Sequence, residues 1–324
     1  MRYDPNWFAG LTVAVTGGTG SFGELIVRKL LSTQVAQVRV FSRDEQKHVA
    51  LQRKLGPEDR LKFVVGDVRD VQRLHEVFDG ASIVFHAAAI KHVHLTELHP
   101  MEAVKTNVIG ASNVVNACRT MGVLRCVAIS TDKAVQPVNV MGMSKALQER
   151  IVSTASGPGF VAGCVRYGNV LGSNGSVVPY FRTLLDSGVT TLPITHPDMT
   201  RFMLTLDEGV DMALFAMSSV EAGEIVVLER PSFLVKDLAE VMLEKYGGGN
   251  LRDMGIRPGE KLHEILVSEE EGRRVVRRGE FTVVRPYTSE NERFGLGVGE
   301  VSSEKVRRMT KDELRTMLSD GGFL

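Results

Sequence analysis

Short apolar runs alternate along the chain with stretches in which apolar residues return every three or four positions, the pattern of strands interleaved with helices. The runs at 11–16, 38–41, 61–65, 82–85, 124–130 and 160–165 read as six strands. Between them, 101–121 reads as a long helix with Val104, Val108, Ala111, Val115 and Cys118 on its apolar stripe, and 140–155 as another helix. Alternation of this kind implies an α/β fold, a doubly wound parallel sheet covered on both faces, with a smaller, discontinuous C-terminal lobe. The expected division assigns 1–170 to the sheet domain, completed by about 203–246, and 171–202 with 247–324 to the lobe and tail. In the second half, 224–228 reads as a strand and 235–246 as a helix ending at Gly247-Gly248-Gly249. Thr310 to Glu313 forms a capping box before a short helix whose Leu314, Met317 and Leu318 are expected to dock on the lobe or on a neighbouring subunit.

Composition changes this picture little. Thirty-nine basic residues balance thirty-nine acidic ones over 324 residues, which argues against bulk binding to nucleic acid or an anionic membrane. Cys118, Cys126 and Cys164 are odd in number, lie in apolar runs and lack metal-ligand spacing, so they are expected as reduced core residues of a cytoplasmic protein. No run approaches the ~20 apolar residues of a membrane span, and the start of the chain lacks the layout of a signal peptide. The expected partners are small molecules and further copies of the chain.

Candidate chemistry gathers at strand ends. The first strand runs into Gly17-Gly18-Thr19-Gly20-Ser21-Phe22-Gly23, after which Leu25, Ile26, Leu30 and Leu31 continue at helical spacing. Glycines there let the chain turn tightly and a pyrophosphate approach the backbone, and the helix N-terminus offers free N–H groups to it. The second strand ends at Ser42-Arg43-Asp44, with Lys47 one turn later. Arginine and lysine suit the extra phosphate of NADP, while Asp44 keeps NAD open. Asp67 is read either as an acceptor for an adenine amino group or, like Asp70, as a helix cap. Small residues Ala87, Ala88 and Ala89 leave room for a cofactor across the fourth strand end. His92, His94 and His99, with only Glu97 nearby, match no closed zinc set, so no metal is expected. Asn107 sits in a helix that tolerates it poorly and is expected to hydrogen-bond across to the active-site strand.

The fifth strand delivers Ser130, Thr131, Asp132 and Lys133 to the carboxyl edge of the sheet, where ligands of such folds lie. On the next helix Met141 and Lys145 are four apart and share a face. Each of these residues alone reads as an ordinary surface lysine or core methionine. Together they bring an acid, two amines and two hydroxyls to one strand end.

In order along the chain come Thr-Gly-Gly-Thr-Gly-Ser-Phe-Gly at 16–23, Ser-Arg-Asp at 42–44 and Gly-Asp-Val-Arg-Asp at 66–70. His-Ala-Ala-Ala-Ile-Lys-His-Val at 86–93, Ser-Thr-Asp-Lys-Ala at 130–134, Arg-Tyr-Gly-Asn-Val at 166–170 and Arg-Pro-Gly-Glu-Lys-Leu-His-Glu at 257–264 follow. From about residue 11 to 286 the chain resembles the extended short-chain dehydrogenase/reductase superfamily, with its Rossmann fold, and within it the UDP-N-acetylglucosamine 4,6-dehydratases of polysaccharide biosynthesis. The glycine turn is common to the superfamily, whereas Ser-Thr-Asp-Lys with the later Arg-Pro-Gly-Glu-Lys is specific to this branch.

The resemblance implies a hydro-lyase with retained NADP, which oxidises C4 of a nucleotide sugar, eliminates water across C5 and C6, and returns hydride to C6. It implies Asp132 as acid at O6, its pKa raised by burial, and Lys133 as neutral base at C5, its pKa lowered by desolvation and by Lys145. Thr131 would hold O4, and Lys145 would anchor the ribose. For the cofactor it implies the glycine turn (Gly17, Thr19, Gly20, Ser21, Phe22, Gly23), then Ser42, Arg43 and Lys47, Asp67 and Val68, and Ala87 to Ala89. Lys91, Asn107, Ser130 and Tyr167 complete that surface. For the substrate it implies Lys91, Asn169, Ser176, Val177 and Val178, with Arg201 gripping a phosphate, Arg257 meeting the diphosphate or ribose, and Glu260 accepting from a ribose hydroxyl. Glu264 is read as support for a helix, and the opposite charge runs at 269–271 and 273–278 as a solvated face.

The departure is Met141, where most of the superfamily has the tyrosine that takes the proton of the hydroxyl being oxidised. A thioether cannot do this. Longer membrane-anchored dehydratases and some soluble ones also carry methionine here, so the change marks a sub-branch, with Asp132, Lys133 or a water held by Thr131 as the candidate base. The alternatives are a nucleotide-sugar 4-epimerase, a GDP-sugar dehydratase, or a non-catalytic NADP-sensing protein. Members of the superfamily self-associate, which implies a dimer or hexamer here.

Overall fold

The computed structural model describes residues 3–173, 175–287 and 297–324. Its centre is built from β1 (Thr12–Thr16), α1 (Ser21–Leu31), β2 (Gln37–Ser42), α2 (Glu45–Leu55), β3 (Leu61–Val65), α3 (Val71–Phe78) and β4 (Ile83–His86). Then come α4 (Val93–Leu98), α5 (Pro100–Ala103), α6 (Gly110–Thr120), β5 (Arg125–Thr131), α7 (Val140–Ser153) and β6 (Val161–Tyr167). The six strands are parallel and lie in the order β3-β2-β1-β4-β5-β6, the Rossmann arrangement expected from the alternating pattern. Burial is complete for β4 and nearly so for β1 and β6, where helices cover both faces, and falls away at the edge strand β3. Because the chain leaves β1 toward β2 on one side and β4 lies on the other, a crevice opens at the C-terminal ends of β1 and β4.

Beyond β6 the sheet continues to nine strands through Ile225–Val227, Phe281–Val284 and Val275–Arg278, the last two antiparallel. Two segments expected in the lobe therefore extend the main sheet. The lobe itself pairs Asn169–Val170, Thr200–Leu204 and Ser232–Leu234, and separately Thr191–Ile194 with Asn250–Asp253. It has its own apolar core, in which Val178, Phe181 and Leu238 meet Leu314 and Leu318 of the helix Lys311–Asp320. The capping box at Thr310 forms as expected, and its helix docks on the lobe of its own chain. After that helix Phe323 occupies the space a Cβ on Gly172 would need, and Arg182 Nη1 donates to Gly322 O at 2.9 Å.

The helix expected over 101–121 is α5 and α6 joined by a π-helical turn, Val104–Ile109. The widened turn buries Asn107, which donates to Ile90 O (2.9 Å) and Ser144 Oγ (2.9 Å) and accepts from Ile90 N (2.8 Å). Its bonds go to the segment after β4 and to α7 rather than to β5. The three cysteines are free and buried. Among the described residues no helix is long and apolar enough to cross a membrane.

The largest difference from the sequence reading concerns charge. Arg166, expected just beyond β6, lies inside that strand and is 1% exposed. Its guanidinium is bidentate to Glu149 of α7 (2.7 and 3.0 Å) and to Glu271 (2.8 and 2.9 Å), and donates to Leu266 O at 2.8 Å. Glu271 and Arg274 are buried, so the charge runs after residue 268 are not a solvated face. Burial would raise the Glu271 carboxyl, but Arg166 outweighs it and holds the group at about 2. A buried cation left without its partners costs far more than an exposed pair gains.

Arg166→Met is expected to lower unfolding free energy by about 3–5 kcal/mol, read from urea melts at pH 7. The Glu271 contribution is complete above its ordinary value of about 4.5 and is lost as pH falls toward 2. The wild type should therefore lose more stability across that window than the variant does.

Candidate active site

The chain turns from β1 into α1 through Gly17, at φ +68°, where a Cβ would stand 2.7 Å from the main chain of Ala87 and Ala88. Gly23 packs against Gly17 O, so α1 starts hard against the strand end. Asp44, Asp70 and Asn139 cap α2, α3 and α7, but α1 begins at Gly20 without a side-chain cap. Its first N–H groups are left to an anion. Thr19 Oγ1 and Ser42 Oγ are 2.8 Å apart, and Ser42 Oγ meets His48 Nε2 at 2.9 Å. Arg43 and Lys47 lie exposed beyond them. Asp67 pairs with Arg69 (2.7 Å) and, at 3.6 Å, with Arg43, which leaves the capping of α3 to Asp70. Val68 is buried beneath Gly110, and Tyr167 is buried with its ring stacked on Phe22 at 5.4 Å. Ser130 Oγ is buried without a hydrogen-bond partner. Uncapped N–H groups, a glycine cradle and an orphaned hydroxyl fit a dinucleotide.

At the end of β5 the chain passes into a short 3₁₀ turn, Asp132–Ala134. Asp132 is fully buried; its Oδ1 accepts from Thr131 Oγ1 at 3.0 Å and from Lys133 Nζ at 3.1 Å, while Oδ2 has no partner. Gly168 keeps the space beside Oδ2 open, since a Cβ there would stand 3.3 Å away. Lys133 Nζ reaches a second carboxylate, Glu264 Oε1, also at 3.1 Å. Glu264 is 2% exposed and faces Arg201 Nε at 3.7 Å and Lys261 Nζ at 3.8 Å.

Burial raises the Asp132 carboxyl against the pull of Lys133, as the sequence led one to expect. Lys133 departs from expectation. Burial pushes its ammonium down, but Asp132 and Glu264 outweigh that and hold it above the ordinary lysine value. Glu264, expected to support a helix, lies in none and pairs with Lys133 instead. Lys145 is not what tunes Lys133, because its Nζ donates to Ile129 O (2.5 Å) and Gln148 Oε1 (2.7 Å), and burial lowers it to about 8. Met141 is buried one turn earlier and brings no titratable group. A Cβ on Gly142 would overlap Lys133 O, so the start of α7 rests directly on the reacting strand end.

The expected substrate residues divide. Arg201 donates to Thr200 O (2.7 Å), Lys261 O (2.9 Å) and Leu262 O (3.1 Å), so its guanidinium braces the 261–264 segment and is not free to grip a phosphate. Asn169 Oδ1, Ser176 Oγ and Glu260 Oε2 are buried atoms without partners. Arg257 is exposed, 3.8 Å from Glu260 Oε1, and Lys91 is exposed after β4. The 257–261 loop is fastened to the cap of α7 by Asn139 Nδ2 donating to Gly259 O (2.7 Å), and to the segment before it by Lys261 Nζ donating to Val135 O (2.5 Å). Gly175 lies over His92, Val177 and Val178 open the following helix, and Asn174 falls outside the described residues. Among the described residues no three His, Cys, Asp or Glu side chains are grouped to hold a metal.

Gly17→Val is expected to weaken NADPH and NADH binding at least tenfold, about 1.4 kcal/mol, in a fluorescence titration, because the added carbons collide with Ala87.

Known proteins resemble this chain in sequence and fold. A protein named UDP-glucose 4-epimerase from Rickettsia typhi is 42% identical over 82% of this chain and 80% of its own. An uncharacterized membrane protein of Methanocaldococcus jannaschii is 39% identical over 98% of both chains. The solved structure of Pen from Bacillus thuringiensis superposes with a TM-score of 0.91 at 30% identity, covering 98% of this chain and 99% of that one. DesIV from Streptomyces venezuelae, a dTDP-glucose 4,6-dehydratase solved with NAD bound, shares the fold at a TM-score of 0.71 and 24% identity, over 78% of this chain and 87% of its own. Residues 13–286 match the family described as Polysaccharide biosynthesis protein, and with the sheet order and glycine cradle above, the chain belongs to that family and has the extended short-chain dehydrogenase/reductase fold.

Proposed function

We propose that the protein is a nucleotide-sugar 4,6-dehydratase acting on UDP-N-acetylglucosamine. The observation that carries this reading is the buried Asp132 carboxyl beside Lys133 at the end of β5, with one oxygen free and no hydroxyl at position 141. When bound, the nicotinamide cofactor supplies a reversible hydride acceptor between C4 and C6. What remains is proton movement, and that falls to the chain's own side chains.

The proton lost from O4 and the proton needed to expel O6 as water cancel in the balance of the reaction. One group that takes the first and gives the second needs no outside supply. Asp132 suits this: burial favours its protonated form, and Oδ2 has no other claim on it. It takes the part that tyrosine would have in the first step. Lys133, as free amine, takes the C5 proton and returns it there. Its ammonium must first be discharged, so turnover should rise with pH. Thr131 aims the carboxyl through its bond to Oδ1. Asn169, Glu260 and Arg257 are proposed to meet the diphosphate and ribose.

NADP is the proposed cofactor. Asp44 accepts from Lys47 N at 3.1 Å and so is turned to its own helix, while exposed Arg43 and Lys47, held only by longer ion pairs to Asp67 (3.6 Å) and Asp44 (3.5 Å), suit a 2′-phosphate. A 4-epimerase is the second reading, favoured by the name of the 42% identical relative; it would need hydride return to C4 and no acid at O6.

Incubation with UDP-N-acetylglucosamine should yield a 4-keto-6-deoxy product by NMR with no net NADPH, whereas a 4-epimer alone would support the second reading. Asp132→Asn and Lys133→Met should each cut turnover at least ~100-fold while cofactor binding persists. Wild-type activity in either variant would remove these assignments.

A further inference from the structure

We propose that Glu264 is a positioning residue of the reaction centre: its carboxylate shares the Lys133 amine with Asp132, fixing where that amine stands and how readily it gives up its proton. What Lys133 then does rests on the dehydratase reading; the contact itself does not.

Two carboxylate oxygens, Asp132 Oδ1 and Glu264 Oε1, lie 3.1 Å from Lys133 Nζ. They lie 132 residues apart in the sequence and approach through different elements, so the amine is held from both the sheet and the lobe. Glu264 is itself rigidly placed. Its N–H donates to Ser303 Oγ (2.9 Å), Ser303 Oγ bonds to Thr200 Oγ1 (2.7 Å), and Thr200 Oγ1 to His263 Nδ1 (2.7 Å). Arg201 braces the same segment through two of its main-chain carbonyls, Lys261 O and Leu262 O.

The charged groups facing Glu264 are Lys133 with Asp132 from the end of β5, Arg201 from the strand Thr200–Leu204, and Lys261 from its own loop; His263 turns away, to Thr200 and Glu304. These cations outweigh burial and keep Glu264 ionised, so it is a fixed negative charge and not a proton carrier. A fixed negative charge beside an amine makes that amine harder to discharge. Removing it has two separable effects: Lys133 loses a tether, and it gives up its proton at lower pH.

The test compares Glu264→Gln, which keeps shape and removes charge, with Glu264→Asp, which keeps charge. In Glu264→Gln the limb on which turnover rises with pH should move down by about one pH unit. Its plateau kcat should fall about tenfold or more, with KM changed less than about threefold. Glu264→Asp should stay near the wild-type pH position. A purely structural role would lower rate and melting temperature and leave the limb in place. A second readout needs no turnover: competitive trace acetylation with acetic anhydride across pH, followed for the Lys133 peptide by mass spectrometry. The Lys133 midpoint should lie above that of the chain's exposed lysines in the wild type and drop by about one unit in Glu264→Gln. Identical midpoints in the two proteins would overturn the proposal. So would a wild-type midpoint at or below the exposed lysines, which decides the matter if the variant does not fold. Absence of a 4-keto-6-deoxy product from the wild type would sink the dehydratase reading alone, with the labelling result still judging Glu264.

Discussion

A buried guanidinium in the middle of a parallel strand has to be neutralised, and Arg166 dictates much of the surrounding architecture. Its partners come from the helix that bears Lys145 and from a segment 105 residues further along the chain. That demand brings α7, β6 and the 266–271 stretch to one point. Lys145 lies one helical turn before Glu149, and Glu264 lies just before the strand whose Leu266 carbonyl Arg166 also takes. The two flanks of the reacting strand end are thus located by one ionic node beneath them.

Above that node, the site is organised by shared charge. Two carboxylates and three cations meet within a few ångströms of the end of β5, and no member can be understood alone. Burial favours the neutral form of Asp132, the same burial opposes the charge on Lys133, and Asp132 together with Glu264 reverses the outcome for the amine. Position 141 carries a buried thioether, which has no proton to give or take, so the titratable groups gather at the strand end. The neighbouring Lys145 is bonded inward and stands apart from it.

The sheet was readable because apolar runs buried on both faces have no other fold to adopt, and the glycine turn because its spacing has a backbone reason. Asp132, Lys133 and Lys145 were readable as neighbours on one edge and one helix face. Glu264 and Arg166 were not. Each looks like an ordinary charged residue in sequence, and each acquires its meaning from partners more than fifteen residues away that only the closed chain brings near. Arg201 shows the converse. Its place in a promising motif suggests a ligand contact, yet the main-chain carbonyls of Thr200, Lys261 and Leu262 claim its guanidinium. The π-turn likewise has no signal in periodicity, since one extra residue per turn looks like noise in a helical stripe.

The seating of Phe323 against Gly172 puts an aromatic ring directly behind the loop that leads to Ser176 and its partnerless hydroxyl. Gly172 leaves that space and Phe323 fills it, so the loop is propped from the end of a helix that lies more than a hundred residues further along the chain. A change at Phe323 would therefore act on that loop from behind, without touching any residue at the strand ends.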